Sequence, residues 1–347
     1  MQTTRPEGPR NPLYSLLRTM MAPVSAVLAA LLLGAALIAV AGANPLQAYG
    51  ALLRGAAGSV HSFTETIVKA VPLMLAGLGI GLAFRGRIWN IGADGQLLMG
   101  AVAAAGIGLA FPHLPVWVLL PFTLAASFVL GALWGSIPGV LKALFEANEI
   151  VVSLMLNFVA ILFVSYLVGG PWRDPAANVP ITALVAVNSQ LPRLVPDTRL
   201  HGGSVVALIC SLLTYLILFR TTLGYKIRAT GGSVEAARFA GINVRAVVIL
   251  TMTLSGGLAG LAGMCEVSGL HHRLMDGISP GYGYTAIVVA LMGELHPLGI
   301  PLAAILFGGL LVGGESMHRA VGVPGALVNV IVGLIVLAYA RRQLEKN

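Results

Sequence analysis

The sequence predicts an all-α polytopic membrane protein with broken helices, and three observations carry that prediction. Of 347 residues, 57% are hydrophobic and only 10% charged, where a soluble domain carries about a quarter charged residues. With a mean hydropathy of +0.89, the chain has too little polar surface to cover itself in water. Its apolar runs approach the ~20 residues a helix needs to cross a bilayer, and they lack the short alternating strands of a barrel. The 43 glycines suit close helix packing in lipid better than they suit soluble helices.

About ten transmembrane helices are expected, with both termini cytoplasmic. Residues 1–21 form a polar N-terminal segment with Arg5, Arg10 and Arg18, and residues 22–340 form the transmembrane domain. The first span is 22–42. Ala41-Gly42-Ala43 imitates a signal cleavage site, but the run exceeds the ~7–15 apolar residues of a signal peptide. Further spans are read at 66–84 (interrupted by Pro72), 97–111, 116–140, 150–168, 204–219 and 246–270. A short apolar piece at 284–292, a span at 298–312, a loop at 313–325 and a last span at 326–340 lead to a cytoplasmic tail, 341–347. The Pro-rich, charge-balanced stretch 170–203 is the long extracytoplasmic loop. This orientation places most Lys and Arg inside, so the net charge of +8 reads as positive-inside bias rather than as a nucleic-acid surface. Cys210 and Cys265 lie in apolar runs without metal-ligand spacing and read as buried small hydrophobes.

Residues 88–111 and 290–314 share a pattern in which a Gly-led polar break carrying an acid precedes a small-residue span. Taken as oppositely oriented, they suggest inverted repeats whose broken helices line a pathway.

The polar interval 220–245 carries Arg220, Lys226, Arg228, Arg238 and Arg245 against a lone Glu235, between two apolar runs. Within it Gly231-Gly232 breaks the preceding element, Ser233 is an N-cap, Glu235 sits in the first turn and Gly241 stops the helix. A short capped helix on a basic loop between membrane spans makes a poor core element and a good docking surface.

The chain carries no reactive motif of the usual kinds. Lys69, Lys142, Lys226 and Lys346 all lack a preceding glycine, so the phosphate cradle G-x-x-x-x-G-K-S/T is missing, as are H-E-x-x-H and G-x-S-x-G. What remains is a set of polar residues at membrane depth, where they are costly and by default functional: Asn90, Asp94, Gln96, Asn157, Glu266 and Glu294, with His296 beside the last. Each has a plainer reading. Asn157 would bond a neighbouring helix, Asp94 would cap the helix it begins, and Glu266 would reach headgroups. Arg85 and Arg87 would anchor the cytoplasmic side, and Gly256, Gly260 and Gly263 would form a packing face.

The segment from Gly231 to Ile242, followed by LSGGLAGLAG, resembles the coupling region of ABC-importer permeases of the simple sugar, branched-chain amino acid and nucleoside branch. Phe84-Arg85 with Asn90-Ile-Gly-Ala-Asp94-Gly-Gln96 is similar to the F-R-x-G-x-x-N-I-G-x-E-G-Q signature of the nucleoside-type subgroup, and Glu149-Ile-Val-Val-Ser-Leu-Met-Leu-Asn157 resembles its fifth span. Gly86-Arg87 and Asp94 depart from that signature, and Glu294 lies outside it.

The resemblance implies a bacterial inner-membrane permease subunit for a small polar solute, nucleosides first and simple sugars second. It also implies partners: ATPase subunits that bind ATP and Mg, a second permease, an extracytoplasmic binding protein and membrane lipid. Ser233, Glu235, Ala236, Ala237, Arg238, Gly241 and Ile242 would then couple the ATPase to the spans on either side. The alternatives from other classes are a stand-alone secondary transporter and a membrane enzyme using Asp94, Glu266 and Glu294.

Overall fold

The computed structural model describes residues 32–322 together with 330 and 333. The elements are α1 Leu32–Val40, α2 Pro45–Ala57, α3 Val60–Arg85, α4 Ala93–Ala110, α5 Val116–Phe145, α6 Glu149–Gly169, α7 Gly203–Arg220, α8 Thr222–Gly232, α9 Val234–Phe239, α10 Val244–Met264, α11 Tyr282–Met292 and α12 Gly299–Val321. A π-helical segment, Cys265–His271, prolongs α10. Among the described residues, seven helices are long and apolar enough to cross a membrane, or eight if α1 and α2, bent by 114°, form one span.

The expected ten crossings are thus not all found. Of the last, 326–340, only residues 330 and 333 are described, and residues 22–31 of the first lie outside the described residues. The piece at 284–292 is α11, whose 11 residues reach only about 16 Å at ~1.5 Å per residue. The loop expected at 313–325 is helical as far as Val321, because α12 runs on through it. α2 was not anticipated: Asn44 starts it, its Oδ1 accepting from Leu46 N at 3.0 Å.

The chain divides into two compact units. One contains Met1–Gly55 and Leu310–Asn347. Its core joins Ile38, Ala48, Leu52 and Met317, and a Cβ built on Gly55 would lie 2.2 Å from Ser316 Cβ.

The second unit, Ala56–Gly309, is built around α3 and α10. α3 continues through Pro72, which is buried rather than a break, as lipid-buried helices allow where neighbours satisfy the backbone. The small-residue face predicted on α10 is present. Cβ atoms built on Gly256, Gly260 and Gly263 would lie 2.4 Å from Gly131 O, 2.3 Å from Ser127 O and 1.9 Å from Leu97 O. Only glycine lets α10 press this closely on α4 and α5, and dispersion across the dry contact holds the helices together.

α3 and α11 also lie side by side, and their pairings fix their sense. Lys69 meets Tyr282, Gly77 faces Ala286 O and Val289, and Arg85 reaches Leu295 O. Sequence numbers rise together, so the helices entering the two breaks run in the same direction. The opposed orientation expected for these two segments is not found, because the intervening helices return the chain to the same sense.

Segment 170–203 folds over the end of the π-helical segment. Thr182 N donates to Leu274 O at 3.0 Å, Val185 N to His272 O at 2.9 Å and Leu191 N to Ser268 O at 2.8 Å. His201 is 2% exposed and accepts from Gly203 N through Nδ1 at 3.1 Å, closing the turn into α7. Burial, and then neighbouring His272, pushes its imidazole down to about 4.

Candidate coupling and translocation sites

The helix read from 233–241 exists with the ends assigned to it. Ser233 terminates α8 and starts α9, its Oγ accepting from Ala236 N at 3.2 Å. Glu235 lies in the first turn, where the partial positive charge of free N–H groups favours an anion. Gly241 leaves the helix at φ 77°, a backbone region that costs other residues strain. Of the six residues of α9 only Ala237 is buried. Ser233, Glu235, Ala236, Arg238 and Gly241 are exposed, and Ile242 is half-buried against a core of Leu82, Leu218, Ile227 and Val247. Phe239 is 95% exposed, and the sequence reading passed over it. The available signal was an aromatic residue directly after Arg238 in a short capped segment too polar to be core.

The base of α9 is joined to the first break through α8. A Cβ built on Gly231 would lie 2.0 Å from Arg85 O, and one on Gly224 would lie 2.1 Å from Ile217 O, so α8 is wedged between the ends of α3 and α7. Arg228 donates to Leu218 O, and the guanidinium groups of Arg228 and Arg85 stand 5.3 and 5.8 Å from the Phe219 ring centroid. Arg85 then reaches across to the second break, where its Nε donates to Leu295 O at 3.1 Å and its Nη2 to Glu294 O at 3.3 Å. Glu294 and Leu295 are left-handed at φ 53° and 52°, and Arg85 takes up the carbonyls that this turn removes from helical bonding. Arg85 is therefore a strut between the two breaks as well as a basic residue at a helix end.

Four of the expected polar residues come together where α4 begins. Asn90 Nδ2 donates to Gln96 Oε1 and to Ser255 Oγ, both at 2.8 Å, and Gln96 Nε2 donates back to Asn90 Oδ1 at 3.0 Å. Asn157 Oδ1 accepts from Gly95 N at 2.8 Å, while its Nδ2 donates to Ile91 O at 2.9 Å and Tyr284 Oη at 3.0 Å. Asp94 does not cap α4, as the sequence suggested. Its Oδ1 accepts from Ser279 Oγ at 2.7 Å and Gly283 N at 2.9 Å, so it serves the first turn of α11. All four side chains are 0–3% exposed. They form a closed hydrogen-bonded lock joining α4, α6, α10 and α11.

Glu266 and Glu294 lie elsewhere. Glu266 is buried in the π-helical segment, 3.4 Å from His271 Nε2. Glu294 is exposed at the second break, where His296 stacks with Tyr215 and Phe219. Glu149 pairs with Lys142, and Glu65 on α3 binds Arg199, whose Nε donates at 2.8 Å. An apolar cavity of about 360 Å³ between α3, α5, α7 and α10 is lined by residues such as Phe128, Ile209 and Leu258 and suits no hydroxyl-rich solute. Among the described residues no group of His, Cys, Asp and Glu could hold a metal.

The family described as branched-chain amino acid transport system / permease component matches residues 62–340. The chain is 38% identical over 325 residues to the Haloferax volcanii glucose ABC transporter permease protein TsgB13, covering 91% of this chain and 85% of the relative. It is 35% identical to the Bacillus subtilis guanosine ABC transporter permease protein NupP, covering 92% and 93%. It is 31% identical to the Lactococcus lactis nucleoside ABC transporter permease protein NupB, covering 93% and 91%. With its membrane-crossing helices and a match over most of its length, the chain belongs to the branched-chain amino acid transport system permease family and is a permease subunit of the ABC transporter type.

Proposed function

We propose that this subunit forms the pathway of an importer that moves a nucleoside across a bacterial inner membrane, and that α9 seats an ATPase subunit which supplies the energy. The observation that carries the coupling role is α9 itself, a capped helix with one buried residue and a fully exposed Phe239 at its end. Docking would bury Phe239 as an anchor, with Arg238 and Glu235 setting register. Force on α9 would pass through α8 to Gly231 and Arg85, and from Arg85 to the second break. ATP and Mg belong on the ATPase partners, a binding protein delivers the solute, and a second permease, identical or related, completes the pathway. Asn90, Asp94, Gln96 and Asn157 would hold the pathway helices in register. In the orientation that supports this reading, α8 and α9, with Arg220, Lys226, Arg228 and Arg238, lie in the cytoplasm, as do both termini, and 170–203 lies outside.

A sugar is the second reading, favoured by the 38% identity to a glucose permease. Uptake of labelled guanosine and glucose by the reconstituted importer decides between them. Glu235→Lys and Gly241→Trp are expected to abolish uptake while leaving expression and membrane insertion intact. Uptake that survives both changes would remove the coupling role from α9.

A further inference from the structure

Lys69 stands out on α3. From Val68 to Ala83 every other residue of the helix is buried, and Lys69 alone is part-exposed. The packing of this central helix therefore opens at a cation, at a depth where an uncompensated charge is costly. Its Nζ donates to Tyr282 Oη at 3.2 Å and lies 5.9 Å from the centroid of that ring. Among the described residues no carboxylate is in ion-pair contact with it. Glu65, one turn away along α3, is held by Arg199.

Tyr282 is 4% exposed and begins α11, the short helix whose first turn Asp94 and Ser279 hold in place. The ammonium is thus steadied by a fixed aromatic ring. An ammonium has three donors and no acceptor, and one donor is used on Tyr282.

We propose that Lys69, placed by Tyr282, is a solute-binding residue of the pathway, presenting its remaining donors to the carbonyl or hydroxyl oxygens of an uncharged polar solute. The proposal rests on the reading of this chain as a polar-solute permease and adds to it a specific contact. Hydrogen bonds from a charged donor are stronger than neutral ones. A single such contact in a wet pathway holds the solute briefly without trapping it.

The test uses the whole importer in proteoliposomes, with guanosine and glucose as probes. Lys69→Met is expected to keep ATP hydrolysis within about twofold while solute moved per ATP falls about tenfold or more, the scale of one lost charge-assisted hydrogen bond. Lys69→Arg should restore much of the transport. Unchanged transport by Lys69→Met, or joint loss of hydrolysis and transport that Lys69→Arg does not restore, would overturn the proposal.

A second measurement stands apart from transport. In the full chain with Cys210 and Cys265 replaced by alanine, Lys69→Cys should react with a water-soluble maleimide, and guanosine or glucose should slow that reaction. A thiol that stays unlabelled would sink the site. A wild-type importer that moves neither probe would sink only the transport reading, and the labelling would still decide whether Lys69 faces water.

Discussion

At the scale of single residues, the polar groups at membrane depth act chiefly on one another. Asn157 satisfies Gly95 N, Ile91 O and Tyr284 Oη at once. Asn157→Ala would leave three partners unpaired in a buried site, so the folded protein should lose about 1–3 kcal/mol, read as a lower midpoint of thermal unfolding in detergent. His201 gives a pH signature. Its folded value of about 4 lies below the ordinary 6.5, so as pH falls through 6.5 the unfolded chain takes up a proton that the folded protein refuses. Stability is therefore full above 6.5 and declines towards pH 4, by on the order of 3 kcal/mol at ~1.4 kcal/mol per unit. Thermal unfolding followed across that range should show the decline, and His201→Asn should flatten it.

Among elements, α10 has the least freedom to change. Its glycines meet backbone atoms of α4 and α5 at distances that leave no room for a side chain. Gly260→Leu should force the helices apart at a cost of about 1–3 kcal/mol or more, seen as loss of the monodisperse peak in size-exclusion chromatography. This face was legible in the sequence because small residues repeat at helical spacing. The α9 caps were legible for the same kind of reason: Ser233, Glu235 and Gly241 act within a few residues of themselves. Asp94 was misassigned because its partners, Ser279 and Gly283, are remote in sequence yet adjacent in space, and local chemistry pointed to its own helix. Lys69 was overlooked inside a predicted span although a lysine in an apolar run is itself a signal.

For the molecule as a whole, composition was enough to give the class of fold, since a chain this apolar has few ways to exist. Counting crossings was harder. α2 follows a 114° bend, α11 is too short to cross alone, and α12 runs on to Val321 through a stretch read from the sequence as a loop. The shared sense of α3 and α11 depends on pairings between residues over two hundred positions apart, which hydropathy does not encode. The distribution of basic residues yields a prediction at this scale. In sealed right-side-out vesicles, a cysteine at Ser233 should react with an impermeant thiol reagent only after permeabilisation, and one at Ala177 should react before it; the reverse pattern would invert the assigned orientation.

α9 meets its own protein through little more than the Ala237 methyl group. A part so lightly attached can be altered at its exposed side chains without disturbing the packing of the helices beneath it. Its surface chemistry and the stability of the bundle are therefore separate properties, set by different atoms.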